Sequence, residues 1–270
     1  MYGINFGEKY KKCVRPFGLE DQVFKESKYY DIPYSENPKL IETELLANKV
    51  EPLYEEIISV VGTNKPITEE LLKIITVWMY FSDMRKPSLR ESFQNTSELM
   101  LTSIVHQRNG FRTNELDERI ESLSIQAGIK SQLDLLAKPK MLKNVMDIFL
   151  EVLSKKRWRF LSAAEGFTFW TSDNPGFSVN TNSQTASITP YFDLLEMNEK
   201  SINYYPLSPY LCLEITPNAE SDKDDMLGSY GYGQATPETM NFINKGVILT
   251  RNQIVIANNR KELEECIKWG

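Results

Sequence analysis

Apolar residues recur at every third or fourth position through much of the first half of the chain, a spacing typical of amphipathic helices. One such stretch starts at Ile41 and ends at Gly62. Pro52 lies inside it, and because proline lacks an N–H and clashes with the preceding turn, it kinks or divides the predicted helix. Thr68 is a suitable N-cap for the next helix, which is apolar nearly all round as far as Met84 and is therefore predicted to lie in the core.

Three further helices are predicted before the middle of the chain. Pro87 ends the core helix or marks a bend in it. The predicted bounds of the three are residues 90–106, residues 114–126, and a last helix that opens at Ser131 or Pro139 and ends near Ser154. The helical pattern therefore extends to about residue 155.

The hydrophobic pattern then changes to one typical of strands. Residues 158–161 and 167–170 are predicted to form a hairpin around residues 163–166, and further strands are predicted at 187–192, 202–205, 210–216 and 253–257. Residues 228–233, which alternate glycine and tyrosine over most of their length, are predicted to be a mobile loop. Thr236 followed by Pro237 is a strong helix start, and a short final helix is predicted at 261–268.

Helices that precede strands along the chain favour an α+β fold. We predict one fused domain over residues 1–270, in which a helical part (35–155) packs on a mainly antiparallel sheet from a strand-rich part (156–270). No internal repeat and no flexible linker interrupts this order.

Composition narrows the classes of function. The 270 residues include no apolar run near the roughly 20 residues that span a bilayer, and the first residues lack an apolar signal core. We therefore predict a cytoplasmic protein that does not bind membranes. The net charge of −6 disfavours non-specific nucleic-acid binding, which depends on neutralising phosphates.

Soft metal ligands are scarce. The single histidine, His106, excludes most histidine-rich metal sites, and a serine or cysteine triad would have to use that one ring. The three cysteines are widely spaced and form no CxxC pair, so neither a disulfide framework nor a zinc site is expected.

The segment FTFWTSDNPGF concentrates polar side chains after an aromatic run. Within it, Thr171, Ser172, Asp173 and Asn174 supply four oxygen or amide groups in succession before Pro175. Asp173 is a candidate general acid or base, or a ligand for a divalent metal, with its neighbours as ligand-binding groups. The alternative is a structural turn, because Asp and Asn side chains bond to nearby main chain and Pro-Gly completes a turn.

Three residues outside this segment join the candidate site. Arg85 ends an otherwise apolar helix and suits a phosphate or carboxylate ligand. The alternative is an ion pair that ties the helical part to the sheet, for which Asp173 is a candidate partner. Glu51 is a candidate second carboxylate, although Glu51 and Glu55 also fit a solvated helix face. Asn244 is a candidate ligand-binding residue.

Two functions from different classes fit these residues. The first is metal-assisted phosphoester hydrolysis with Asp173, Arg85 and Glu51 as catalytic residues and a divalent metal as cofactor. The second is a non-enzymatic protein-binding module in a defence or toxin–antitoxin setting, because tyrosine is favoured at interfaces. Tyrosines that are predicted to be exposed lie at positions Tyr29, Tyr30, Tyr230 and Tyr232.

A set of local motifs resembles a known family. The set comprises Ile41-Glu42 with Val50-Glu51, Met84-Arg85-Lys86-Pro87 with Arg90, Trp158 with Thr171-Ser172-Asp173-Asn174-Pro175, and Tyr205-Pro206-Leu207-Ser208-Pro209 with Asn244 and Ile254-Val255-Ile256. In this order they resemble the mostly microbial family called domain of unknown function 4238, from about Tyr29 onward. Members commonly open with a His- and Pro-containing stretch that this chain lacks. The resemblance implies one fold unit and a candidate surface, and no particular reaction.

Overall fold

The structure, a computed structural model, describes residues 1–6, 14–16, 36–37, 39–107, 113–138, 140, 143–144, 147, 151, 155–180, 187–189, 201–217 and 230–266. In this part of the chain the helices are a π-helical segment Ile41–Val50, α1 Glu51–Val61, α2 Glu69–Met84, α3 Pro87–Gln107, α4 Asn114–Ala137, α5 Pro237–Thr250 and α6 Arg260–Cys266. The strands are β1 Tyr2–Asn5, β2 Arg15–Pro16, β3 Lys156–Ser162, β4 Thr171–Ser172, β5 Phe177–Asn180, β6 Ser187–Thr189, β7 Ile202–Ser208, β8 Leu211–Pro217, β9 Tyr230–Gln234 and β10 Ile254–Ala257. The α+β class predicted from the sequence is confirmed.

The predicted helix boundaries at Pro52, Gly62 and Thr68 are confirmed. The π-helical segment gives way to α1 at Glu51, one residue before Pro52, and Pro52 lies in the first turn of α1. Gly62 caps α1, and the Thr68 side chain accepts a hydrogen bond of 3.2 Å from the Leu71 N–H at the start of α2. Eleven residues of α2 are buried, which places this helix in the core as predicted.

The predicted end of the fourth helix near residue 126 and its alternative restart at Ser131 are wrong. α4 continues to Ala137 because Gly128 allows a close approach to α3, where a Cβ on Gly128 would lie 3.0 Å from the Arg90 carbonyl oxygen. The buried Leu133 and Leu136 then continue its apolar face. Beyond Pro139, which lies outside the described residues, residues 140, 143, 144, 147 and 151 are helical.

The strands form two sheets rather than the one predicted. One sheet has the order β2-β1-β10-β4, and the other has the order β6-β5-β7-β8-β3-β9. All pairs are antiparallel except β3 with β9, which are parallel. The N-terminal strand β1 therefore belongs with the C-terminal part of the chain, where it pairs with β10.

Two of the predicted strand-region features are wrong. Residues 167–170 are not a strand, because the Asn244 side chain bonds both the Trp170 N–H and the Thr168 carbonyl in place of a neighbouring strand. The predicted hairpin with β3 is consequently absent, and β4 pairs with β10 in the other sheet. Residues 230–233, predicted as loop, begin the parallel strand β9; residues 228–229 lie outside the described residues.

The six-stranded sheet contributes side chains to two hydrophobic cores. On β8, Leu211, Leu213 and Ile215 join the core formed with α1 and α2, whereas the intervening Cys212 joins the core formed with α5 and the four-stranded sheet. This alternation follows the period of two along a strand. The helical part thus packs on one face of the six-stranded sheet.

None of the helices in the described part of the chain combines the length and the apolar character needed to cross a bilayer. The cytoplasmic location stays a prediction.

Candidate functional site

The Asp173 carboxylate accepts hydrogen bonds from the loop that leads into β10. Its oxygens take the N–H groups of Asn252, Gln253 and Ile254 at 2.9, 2.6 and 3.2 Å. Burial raises the pKa of the Asp173 carboxyl, and the three N–H donors act in the opposite direction. Asp173 therefore joins the end of β4 to the start of β10, and its catalytic role stays a prediction.

Ser172 and Asn174 close a tight turn around Asp173. The Ser172 hydroxyl donates to the Asn174 carbonyl at 2.8 Å and accepts from the Asn174 N–H at 3.1 Å. The buried Asn174 side chain accepts from the Ser88 hydroxyl at 3.0 Å and donates to the Thr250 carbonyl at 2.9 Å. One amide thus links the start of α3 to the end of α5, as expected for the structural alternative.

The remaining ligand-binding candidates also make main-chain contacts. Thr171 lies opposite Ile256 in the pairing of β4 with β10. Asn244 is buried in α5 and bonds residues 168 and 170, as described above, at 2.9 Å in each case. Both residues therefore hold the segment in place before the turn, and a ligand-binding role for them stays a prediction.

Arg85 and Glu51, which were predicted to share one site, do lie together. An Arg85 guanidinium nitrogen is 3.6 Å from a Glu51 carboxylate oxygen, and both side chains are partly exposed. The ion pair joins the end of α2 to the start of α1, so it lies within the helical part rather than between helices and sheet. Exposed pairs of this kind contribute about 0–1 kcal/mol.

A buried polar cluster at the end of α2 was not predicted from the sequence. We call it the α2 cluster: Ser82, Asp83 and Lys86 at the end of α2, with Tyr205 of β7. Lys86 and Asp83 form an ion pair, with side chains only 1% and 3% exposed. Burial raises the pKa of the Tyr205 hydroxyl, the Asp83 charge raises it further, and a Ser82 hydrogen bond lowers it. The available signal was the opposite charges three residues apart at the end of an apolar helix.

A second buried cation lies at the start of β3. The Lys156 ammonium donates to the Ser201 carbonyl, the Ser201 hydroxyl and the Asn203 side-chain oxygen at 2.7, 2.9 and 3.2 Å. Burial lowers the pKa of Lys156 to about 8. These three neutral acceptors match the three donors of an ammonium group.

The described residues hold no group of three or more His, Cys, Asp or Glu side chains that would bind a metal ion. A divalent metal as cofactor stays a prediction.

The helices α3 and α4 form a hairpin with exposed apolar residues, which was not predicted from the sequence. Arg90 bonds Gln132 at 2.7 Å, and Gln94 touches Gly128, so the two helices run antiparallel. None of the 21 residues of α3 is buried. Large apolar side chains are exposed on both helices; we call them the hairpin surface: Leu99, Met100, Ile104, Leu123 and Ile125.

The outer part of this hairpin is acidic. Its described residues carry one arginine, Arg119, and five carboxylates: Glu98, Glu115, Asp117, Glu118 and Glu121. The connecting residues 108–112, which lie outside the described residues, add Arg108 and Arg112 in the sequence, so that carboxylates outnumber arginines five to three. Helical periodicity predicts that these charged residues form a solvated face. It does not indicate which apolar residues of the two helices remain exposed in the folded protein. The combination of exposed aliphatic groups and negative charge is a feature of the folded molecule.

Comparison with known proteins gives one result. A family model described as "Protein of unknown function (DUF4238)" matches residues 9–261. No curated protein and no solved structure matches the chain. The matched range contains the Thr171–Pro175 turn, Arg85 and Asn244, and the resemblance inferred from those residues is confirmed. The chain belongs to the DUF4238 family of proteins of unknown function.

Proposed function

We propose that this protein is a protein-binding module, and that the hairpin surface is where it contacts its partner. The observation that carries the proposal is the exposure of several large aliphatic side chains on one helical hairpin. Leu99 and Met100 are 70% and 62% exposed. Scattered exposed apolar residues are common, but a concentration on one element is typical of a binding surface.

The geometry of the hairpin favours a helical partner. Met100 and Ile104 are four residues apart and therefore lie on one face of α3. The contacts of Arg90 with Gln132 and of Gln94 with Gly128 define how α3 and α4 are aligned. In this antiparallel alignment, Leu99 of α3 lies at the same height along the hairpin as Leu123 of α4. We propose that these exposed side chains receive the apolar face of an amphipathic helix, a common mode of recognition between a helix and an apolar surface.

The charge of the hairpin indicates the chemistry of that helix. The carboxylates of the outer hairpin favour a partner with lysine or arginine beside its apolar face, because complementary charge speeds encounter and selects among partners. The occupant we propose is therefore a basic amphipathic helix of another protein. A defence or toxin–antitoxin setting stays a prediction, with no structural observation in its favour.

A defined probe tests this proposal. We would titrate the protein with a synthetic helical peptide of leucine and lysine at amphipathic spacing, and follow the heat of binding. The double variant Met100→Ser/Ile104→Ser should weaken binding about tenfold, which is about 1.4 kcal/mol. Leu249→Ser is the matched control, because Leu249 is also an exposed apolar residue but lies on α5.

Three results would count against a binding role for the hairpin. They are no binding by the wild type, equal binding by the hairpin variant, and equal binding of a peptide with the same composition in scrambled order. The last result would show a response to charge alone.

Metal-assisted phosphoester hydrolysis, the other function predicted from the sequence, also stays a proposal. The closeness of Arg85 and Glu51 supports it. The three main-chain donors on Asp173 weigh against hydrolysis, because they occupy the carboxylate that the reaction would use.

A further inference from the structure

The outer edge of β9 carries main-chain groups that point away from the sheet. β9 is the last strand of the six-stranded sheet and pairs with β3 on one side. The Ser162 hydroxyl donates to the Gly233 carbonyl, and the Ala235 N–H donates to the Ser162 carbonyl, so residues 233 and 235 face β3. Since main-chain groups alternate in direction along a strand, those of Tyr230, Tyr232 and Gln234 face outward.

The sequence of β9 lacks the residues that usually protect an edge strand against pairing. Natural edge strands carry lysine, proline or a bulge, or are covered by another element. The sequence of β9 is Tyr-Gly-Tyr-Gly-Gln, which contains no charge and no proline. No strand of the described chain pairs with its outer side. Among the described residues, the outer side of β9 is therefore unpaired.

The middle of the edge is held in a fixed conformation. The Tyr232 hydroxyl donates to the Lys65 carbonyl at 2.7 Å, and the Tyr232 ring lies 5.8 Å from the ring of Phe160. Gly231 has no atom within 4 Å of the position that a Cβ would take, so the face of the sheet at this residue is open. A strand that is ordered before it pairs loses less entropy when it does so.

We propose that β9 pairs with β9 of a second copy of this chain, antiparallel and about a two-fold axis at Tyr232. The outward groups of residues 230, 232 and 234 are self-complementary in this register: Tyr232 faces Tyr232 of the second copy, and Tyr230 faces Gln234 of the second copy. Isologous contacts of this kind are the commonest in oligomers. A neutral residue at Tyr232 suits a second copy in particular, because a charged side chain on the axis would face its own like. This surface is separate from the hairpin surface and does not depend on the proposed function.

Charge exchange across the axis tests this register. Sedimentation velocity over a range of concentrations should show a dimer for the wild type. Tyr230→Lys/Gln234→Lys places lysines opposite lysines and should raise the dimer dissociation constant about tenfold or more. Tyr230→Glu/Gln234→Lys alters the same two positions but places opposite charges together, and it should restore the dimer.

The restored dimer would also show that charged residues at these positions permit folding. Several results would overturn the inference: a wild type that stays monomeric at all concentrations, a dimer that the double-lysine variant leaves unchanged, or a glutamate–lysine variant no better than the double lysine. A dimer that Met100→Ser/Ile104→Ser dissociates would place the interface on the hairpin and would also overturn it.

Discussion

Gly176 lies directly against the ring of Tyr205. A Cβ on Gly176 would be 2.6 Å from Cε2 of that ring, closer than carbon atoms approach without a shift of one of them. Tyr205 is fully buried and its ring also meets Trp78 edge-on at 5.3 Å, so it has little room to yield. Gly176, which directly follows the Thr171–Pro175 turn, therefore packs against the core formed with the helices.

We predict that Gly176→Ala lowers the free energy of unfolding by about 1–3 kcal/mol, because added atoms in a packed core force neighbouring groups to move. Urea unfolding measures this change. Gly231→Ala is the control, since nothing lies within 4 Å of its Cβ position, and it should change stability by less than about 0.5 kcal/mol. Equal effects of the two substitutions would contradict the contact with Tyr205.

The α2 cluster predicts strong coupling between Asp83 and Lys86. Lys86→Met or Asp83→Leu alone should lower the free energy of unfolding by about 3–5 kcal/mol, because each leaves an uncompensated buried charge. The double variant should recover most of that loss. A double-mutant cycle in urea measures the coupling, and additive single effects would contradict it.

The exposed pair of Arg85 and Glu51 provides a contrast to that cycle. Glu51→Ala should cost less than about 1 kcal/mol, since exposed ion pairs are screened by water. A loss as large as that of Lys86→Met would mean that Glu51 does more than pair with Arg85.

Lys156 predicts a pH dependence on the alkaline side. Its pKa falls from about 10.4 in the unfolded chain to about 8 in the folded protein. As the pH falls from 10.4 to 8, the unfolded state takes up the proton first, so stability decreases over this window by about 3 kcal/mol and levels off below it. The contribution of Lys156 to stability should therefore rise from pH 8 to pH 10. Burial raises the pKa of Cys212, Tyr80, Tyr204 and Tyr205, so these groups act in the opposite direction over this window, and the contribution of Lys156 is the difference between wild type and Lys156→Met.

Lys156→Met should abolish this rise, as measured by urea unfolding at the two pH values. The substitution also removes the hydrogen bonds to Ser201 and Asn203, so the slope with pH is the diagnostic quantity rather than the absolute stability. An unchanged slope in the variant would assign the titration to another group.

The sequence predicted the parts of the fold that depend on near neighbours. Thr68 caps α2 and Thr236 caps α5 through contacts three residues away, and both were correct. The strand predicted at residues 167–170 was wrong because its hydrogen-bond partner is Asn244, 74 residues from Trp170 in the chain. β9 was missed for the same reason, since its strand character comes from pairing with β3.

The candidate site shows the same division. The turn chemistry of Ser172 and Asn174 is local and was foreseen as one alternative. The donors that occupy Asp173 come from residues 79 to 81 positions away, and no local pattern indicates them. Opposite charges at Asp83 and Lys86 were visible in the sequence, but their burial depends on Tyr205 and the sheet.

Asp173→Ala tests most directly whether the polar turn serves structure or chemistry. We would follow the thermal unfolding of wild type and variant with and without Mg²⁺ and Mn²⁺. A structural Asp173 predicts a loss of about 1–3 kcal/mol in the variant, because three main-chain N–H groups lose their acceptor, and no effect of either metal. A wild type that Mn²⁺ stabilises, beside a variant of unchanged stability that no longer responds, would contradict this role and support a metal site at Asp173.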